Sequence, residues 1–157
     1  MTYVLEALVA DADLLDVLTQ DLAASRLAPL AQGLALIPMT RALAHALDDG
    51  RDDRPLGFWQ LPSGFDRVLA DRSQDGPIAY VEADYFGGTG EQRSAVWDAG
   101  ALVLGPLHLP EYQPFPADGS PISQALRRLG ASAGDAFDEF AAVSLASHRH
   151  TEDWAAA

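Results

Sequence analysis

Apolar and polar positions in this chain follow two periods, and each period predicts a different element. Tyr3, Leu5, Ala7 and Val9 alternate with Val4, Glu6 and Leu8, which predicts a strand over 2–9 buried on most of its surface. Leu14, Leu15, Leu18 and Leu22 then recur at helical spacing to about Ala24, with Asp11 or Asp13 available as a cap. Gln32-Gly33 sits between two apolar runs and reads as a hairpin turn, with Pro29 and Pro38 pushing its strands to sheet edges or ends. Thr40 heads a short helix carrying Leu43 and Leu47 and ending at Gly50. The segment 56–61 is left as a loop. Ser63 and Asp66 have capping-box spacing ahead of Phe65, Val68 and Leu69, which predicts a helix to about Ser73.

The second half starts with the clearest strand. Over 78–86, Ile78, Tyr80, Glu82, Asp84 and Phe86 share one face, and Ala79, Val81, Ala83 and Tyr85 share the other. Gly87-Gly88-Thr89-Gly90 is a turn. Ser94 to Trp97 and Ala101 to Leu104 flank Asp98-Ala99-Gly100 as a hairpin, in preference to a helix over 91–98. Four prolines and no periodicity make 105–119 a loop. Ser120-Pro121 opens a helix with Ile122, Ala125, Leu126 and Leu129, stopped at Gly130. Phe137, Phe140 and Val143 suggest a last helix. The reading is one α+β domain over 1–146, a mainly antiparallel sheet with helices packed on one side, and a polar, loosely held tail over 147–157.

Composition narrows the chemistry. At 157 residues and 48% hydrophobic, the chain can bury a core without staples. It has no cysteine, so disulfides, zinc–thiolate sites and thiol nucleophiles are excluded. It has no lysine either; all ten cations are arginine, which excludes a Schiff-base or P-loop lysine. No apolar run approaches the roughly 18 residues of a membrane span, and the start does not read as a secretory signal, so the expected location is cytoplasmic. The net charge of −13 disfavours nucleic acid and favours a basic protein partner, with faster encounter. Asp48, Asp49, Asp52 and Asp53 concentrate that charge in one loop, interleaved with Arg51 and Arg54, and are candidates for electrostatic steering.

Special backbone and ionisable side chains coincide in one stretch, 77–97. Glu82 and Asp84 lie two apart on a strand, so their carboxylates project from one face roughly 6–7 Å apart. That spacing suits a divalent cation or an acid/base pair, and partial burial could perturb a pKa. Gly87, Gly88 and Gly90 permit a tight turn or wrap an anion, although Glu91 and the net charge speak against phosphate. Trp59, beside Phe58 and a charged loop, is either a packing residue or an interface anchor. His148 and His150, near Glu152 and Asp153, have the makings of a weak metal site, but a flexible tail explains them as well. No GxSxG, HExxH or EF-hand pattern is present. No cofactor, metal or catalytic residue is therefore assigned.

The run Tyr85-Phe-Gly-Gly-Thr-Gly-Glu-Gln92, followed by Ser94-Ala-Val-Trp97 and Asp98-Ala-Gly100, resembles small acidic bacterial proteins of the immunity type from polymorphic toxin systems. The resemblance implies an α+β protein that binds a partner and performs no chemistry, with the glycines, Glu91 and Gln92 as a structural or binding signature. The expectation is a non-enzymatic acidic protein-binding domain. Its binding residues would be Asp48, Asp49, Asp52, Asp53, Trp59, Glu82, Asp84, Gly87, Gly88, Gly90, Glu91 and Gln92. A small metal-dependent hydrolase using Glu82, Asp84 and a histidine is the alternative, marked by a concave pocket lined by those carboxylates and a strongly raised pKa on one of them, whereas the binding reading predicts a convex or flat acidic face. A structural subunit is another, marked by an apolar patch around Phe58-Trp59 and the proline loop.

Overall fold

The computed structural model describes residues 2–156. Six strands form one antiparallel sheet in the order β2-β3-β1-β4-β5-β6. They are β1 (Thr2–Asp11), β2 (Ala28–Pro29), β3 (Leu34–Pro38), β4 (Ile78–Phe86), β5 (Thr89–Asp98) and β6 (Ala101–Leu109). Six helices accompany them: α1 (Ala12–Asp21), α2 (Arg41–Leu47), α3 (Phe65–Arg72), α4 (Pro121–Arg128), α5 (Glu139–Ala142) and α6 (Thr151–Ala155). The α+β class and the antiparallel sheet agree with the sequence reading. No helix of the described residues is long and apolar enough to cross a membrane.

The helices lie on both faces of the sheet, not on one. Leu5, Ala7 and Val9 of β1 and Ala79, Val81 and Ala83 of β4 pack under α4 to α6. Leu8 and Ala10, with Ile78 and Tyr80, pack under α1 to α3. The reason is in the central strands: both of their faces are apolar, and each face must be covered. Burial on most of the first strand's surface already implied this.

Local signals set most of the boundaries. Asp11, Thr40 and Ser120 accept hydrogen bonds from the first-turn amides of α1, α2 and α4. Gly87 and Gly88 both take positive φ and join β4 to β5 in a two-residue turn, since Phe86 already faces Thr89. Thr89 and Gly90 therefore belong to β5 and not to the turn. Gly90 lies so close to the Asp84 carbonyl and Tyr85 that a Cβ has no room. Ser63 does not cap α3. Its hydroxyl bonds both carboxylate oxygens of Asp53 at 3.0 Å, and Gly64 takes the cap position.

Two segments expected to be irregular are ordered. β6 continues past Leu104 through Gly105-Pro106 to Leu109, which an edge strand tolerates because its outer amides need no partner. The C-terminal segment, expected to be a loose tail, is docked. β3 leaves β1 after Ala7 pairs with Pro38, so the edge of β1 below that point is open. Arg149 to Thr151 fill it: the Val4 amide donates to the Arg149 carbonyl at 2.8 Å and the Glu6 amide to Thr151 Oγ1 at 3.0 Å. Trp154 then enters the core at 3% exposure. Ala157, the last residue of the expected tail, lies outside the described residues, as does Met1.

Candidate functional site

The register places the ionisable residues of the sheet in two adjoining rows on the face covered by α1 to α3. Glu6 faces Glu82, Glu82 faces Arg93, and Arg93 faces His108 across four neighbouring strands. In the next row toward the β4–β5 turn, Val4 faces Asp84 and Asp84 faces Glu91. The helices do not extend over this end of the face. It opens as a cleft of about 380 Å³ lined by Val4, Glu6, Trp59, Gln60, Asp84 and Glu91. A second cavity of about 500 Å³ continues past Glu6 toward Arg41, His150 and Glu152.

Glu82 anchors this region without being available to a ligand. It is fully buried. Its Oε1 accepts the Trp59 amide at 2.7 Å, and its Oε2 accepts the Gln60 amide at 2.8 Å and the Tyr80 hydroxyl at 2.7 Å. Burial pushes its carboxyl above the ordinary range, against the pull of those hydrogen bonds and of Arg93. Asp84, two residues on, is exposed. The two carboxylates share a face as expected but not an environment, and they do not form a two-carboxylate centre. Among the described residues no three His, Asp or Glu side chains gather as a metal site. His148 instead packs edge-on against Trp154 at 4.6 Å, and His150 Nδ1 lies 3.4 Å from Asp153.

The other expected residues divide between the cleft and elsewhere. Trp59, half-buried, lines the cleft with the Arg93 guanidinium 5.1 Å from its ring centre. Glu91 lines it too, 3.1 Å from His108 Nε2. Gln92 is buried on the opposite face, where its Oε1 accepts the Ile122 amide at the start of α4. It anchors that helix and lies outside the acidic cleft. Gly87 and Gly88 form the exposed turn and Gly90 the close strand contact. Asp48, Asp49, Asp52 and Asp53 stay exposed in their own loop. Asp48 and Asp49 accept the Gly50 and Arg51 amides. Arg51 and Arg54 share a shallow 240 Å³ hollow with Asp48 and Asp52, so local cations offset that charge. Phe58 is 2% exposed against Tyr80, so the apolar patch expected around Phe58-Trp59 does not form.

No protein-family model matches this chain, and neither does any curated protein or solved structure.

Sequence reasoning missed the most perturbed carboxyl of the cleft. Glu6 lines both cavities, and its carboxyl is pushed up to about 7, first by burial and then by the nearby charges of Glu82, Asp84 and Glu152. The hydroxyl of Thr151, 3.1 Å from Glu6 Oε2, opposes that rise. The one signal in the sequence was an acid interrupting an otherwise apolar strand. A carboxyl raised in the fold above its unfolded value contributes its stability fully below about pH 4.5 and loses it as pH rises to about 7. The expected result is that wild-type protein loses about 1–2 kcal/mol across that window, allowing for solvent screening, while Glu6→Gln removes most of the slope. Urea unfolding at pH 5 and pH 8 checks this, and equal slopes for both proteins would contradict it.

Proposed function

We propose that this chain is an acidic protein-binding domain whose cleft receives basic side chains of a protein partner. The observation that carries the reading is the convergence of Glu6, Asp84 and Glu91 beside Trp59 in one concavity. Among the described residues, neither Glu6 nor Asp84 is in an ion pair. Three acids and an aromatic wall suit a guanidinium or ammonium, which gains both charge pairing and stacking there. The net charge of −13 adds long-range attraction for the same partner. The likeness of residues 85–100 to immunity-type proteins supports a basic toxin domain as that partner and the cytoplasm as the place of encounter. The acidic face is concave and holds a raised carboxyl at Glu6, which are marks of the hydrolase reading and not the flat or convex face expected of a binding domain. The pair that reading named is not available, however, because Glu82 is engaged by three donors.

Affinity purification of the tagged protein from its native host, with mass spectrometry, should return one stoichiometric basic protein. Binding to that protein should weaken steeply between 50 and 300 mM salt, on the order of a Debye-screening effect. Asp84→Asn with Glu91→Gln should weaken it about 10-fold, at about 0.5–1 kcal/mol for each partly exposed charge. Recovery of the protein alone, or an affinity indifferent to salt and to the double substitution, would overturn the reading.

A further inference from the structure

The opposite face of the same sheet end carries a second concavity of different chemistry. It opens over about 300 Å³ and is lined by five aromatic rings, from Tyr3, Tyr85, Phe115, Phe137 and Phe140, by Ala83 and Gln92 of the sheet, and by Asp138, whose Oδ1 also accepts the Ala141 amide at the start of α5. Tyr3 and Phe140 meet edge to face at 5.5 Å, and the Tyr3 hydroxyl is held by the Leu145 carbonyl at 2.8 Å, so this part of the wall is fixed. Phe115 and Phe137 come from the loops before α4 and α5 and remain 49% and 90% exposed. Exposure of that degree is expensive for a ring that has an apolar core a few residues away. The Tyr85 hydroxyl is buried beside Gln92.

We propose that this cavity binds a small organic molecule through a substituted ammonium group. Aromatic faces attract cations through their quadrupole, and walls of several rings favour alkylated ammonium, which is large, weakly hydrated and itself apolar at its surface. A purely apolar ligand would use the rings but not Asp138, nor the field of a chain carrying −13. An anionic ligand would oppose both. A bare metal ion would lose its hydration shell against hydrocarbon, with one carboxylate to replace it. The volume fits one head group with a short arm, at the lower end of the range for ligand cavities. The site is separate from the acidic cleft and does not depend on the protein-binding reading.

Choline and its neutral isostere 3,3-dimethyl-1-butanol separate charge from shape. In NMR titrations of the full chain at constant ionic strength, choline should shift the ring resonances of Phe137 and Tyr85 and bind at least 10-fold more tightly than the isostere. Phe137→Ala, a change at an exposed ring that leaves the core intact, should weaken choline at least 5-fold. Asp16→Asn, an exposed change on α1 outside both concavities, should leave it unchanged. Equal binding of choline and the isostere would reduce the site to an apolar hollow and overturn the proposal. So would an absence of saturable shifts, or a Phe137→Ala protein that binds choline as the wild type does.

Discussion

Glu82→Ala is expected to destabilise the protein by about 3–5 kcal/mol. The carboxylate is the acceptor for three donors at once, the amides of Trp59 and Gln60 and the hydroxyl of Tyr80. A buried donor left without a partner costs about 1–3 kcal/mol. Tyr80 bears the cost in full, because it is completely buried and its ring is packed edge-on to Phe58 at 4.9 Å. The two amides recover part of theirs, because Gln60 is exposed and its loop can move toward water. Glu82→Gln should cost about 2 kcal/mol, since one end of the amide still accepts while the other presents hydrogens to donors. Asp84→Asn, on the same strand but exposed, should stay within about 0.5 kcal/mol. Urea unfolding at pH 6 measures all three. Hydrogen exchange at Trp59 and Gln60 locates the damage, and an unchanged exchange rate there would remove Glu82 as the anchor of the cleft wall.

That expectation shows what the sequence could and could not convey about the site. The alternation over 78–86 told which residues share a face, and the structure has them so. It could not tell that the loop after Arg54 turns back over the face and aims two amides at Glu82, because that contact spans more than twenty residues. The same alternation made Glu82 and Asp84 equivalent, whereas one lies under a loop and the other beyond it. Glu6 was legible only as an anomaly in an apolar strand. Its importance depends on the pairing of β1 with β4, and register is a property of two strands and not of one. Caps and turns were legible because their causes are local. Asp11, Thr40, Ser120 and Gly87-Gly88 act on residues two to four away. Gln92 belonged to the conspicuous glycine-rich run and looked like part of a site, yet it holds α4 from thirty residues upstream.

The two concavities follow from how the helices are distributed. Helices cover both faces over the middle of the sheet, where β1 and β4 are apolar on each side. Toward the β4–β5 turn the strands run on beyond that cover, and side chains that would be core elsewhere become walls. On one face those side chains are acids and on the other aromatic rings, because the alternation continues unbroken through Asp84 and Tyr85. One strand thus supplies the floor of both.

Trp154→Ala is expected to cost about 3–5 kcal/mol, the range for truncating a buried aromatic ring. The side chain is 3% exposed and packs among Leu5, Leu36 and Leu145 in the core on the α4 side. Its indole Nε1 is buried without a hydrogen-bond partner, so the ring contributes through apolar burial and its edge-on contact with His148. Trp154→Phe should therefore cost about 1 kcal/mol or less, because the volume lost is partly offset by removing an unsatisfied polar group. A tail held only by its main-chain contacts with β1 would instead respond alike to both substitutions. The effect should reach the cleft as well. Trp154 fixes α6, α6 begins at Thr151, and Thr151 bonds both the amide and the carboxylate of Glu6. Loosening the tail takes away the one hydrogen bond that opposes the rise of the Glu6 carboxyl, and it also admits water, which lowers it. Water has the larger say, because burial is the first cause of the shift. Glu6 titrated by carbonyl NMR in Trp154→Ala should fall from about 7 toward the ordinary carboxylate range, and an unmoved titration would mean that the tail and the cleft are independent.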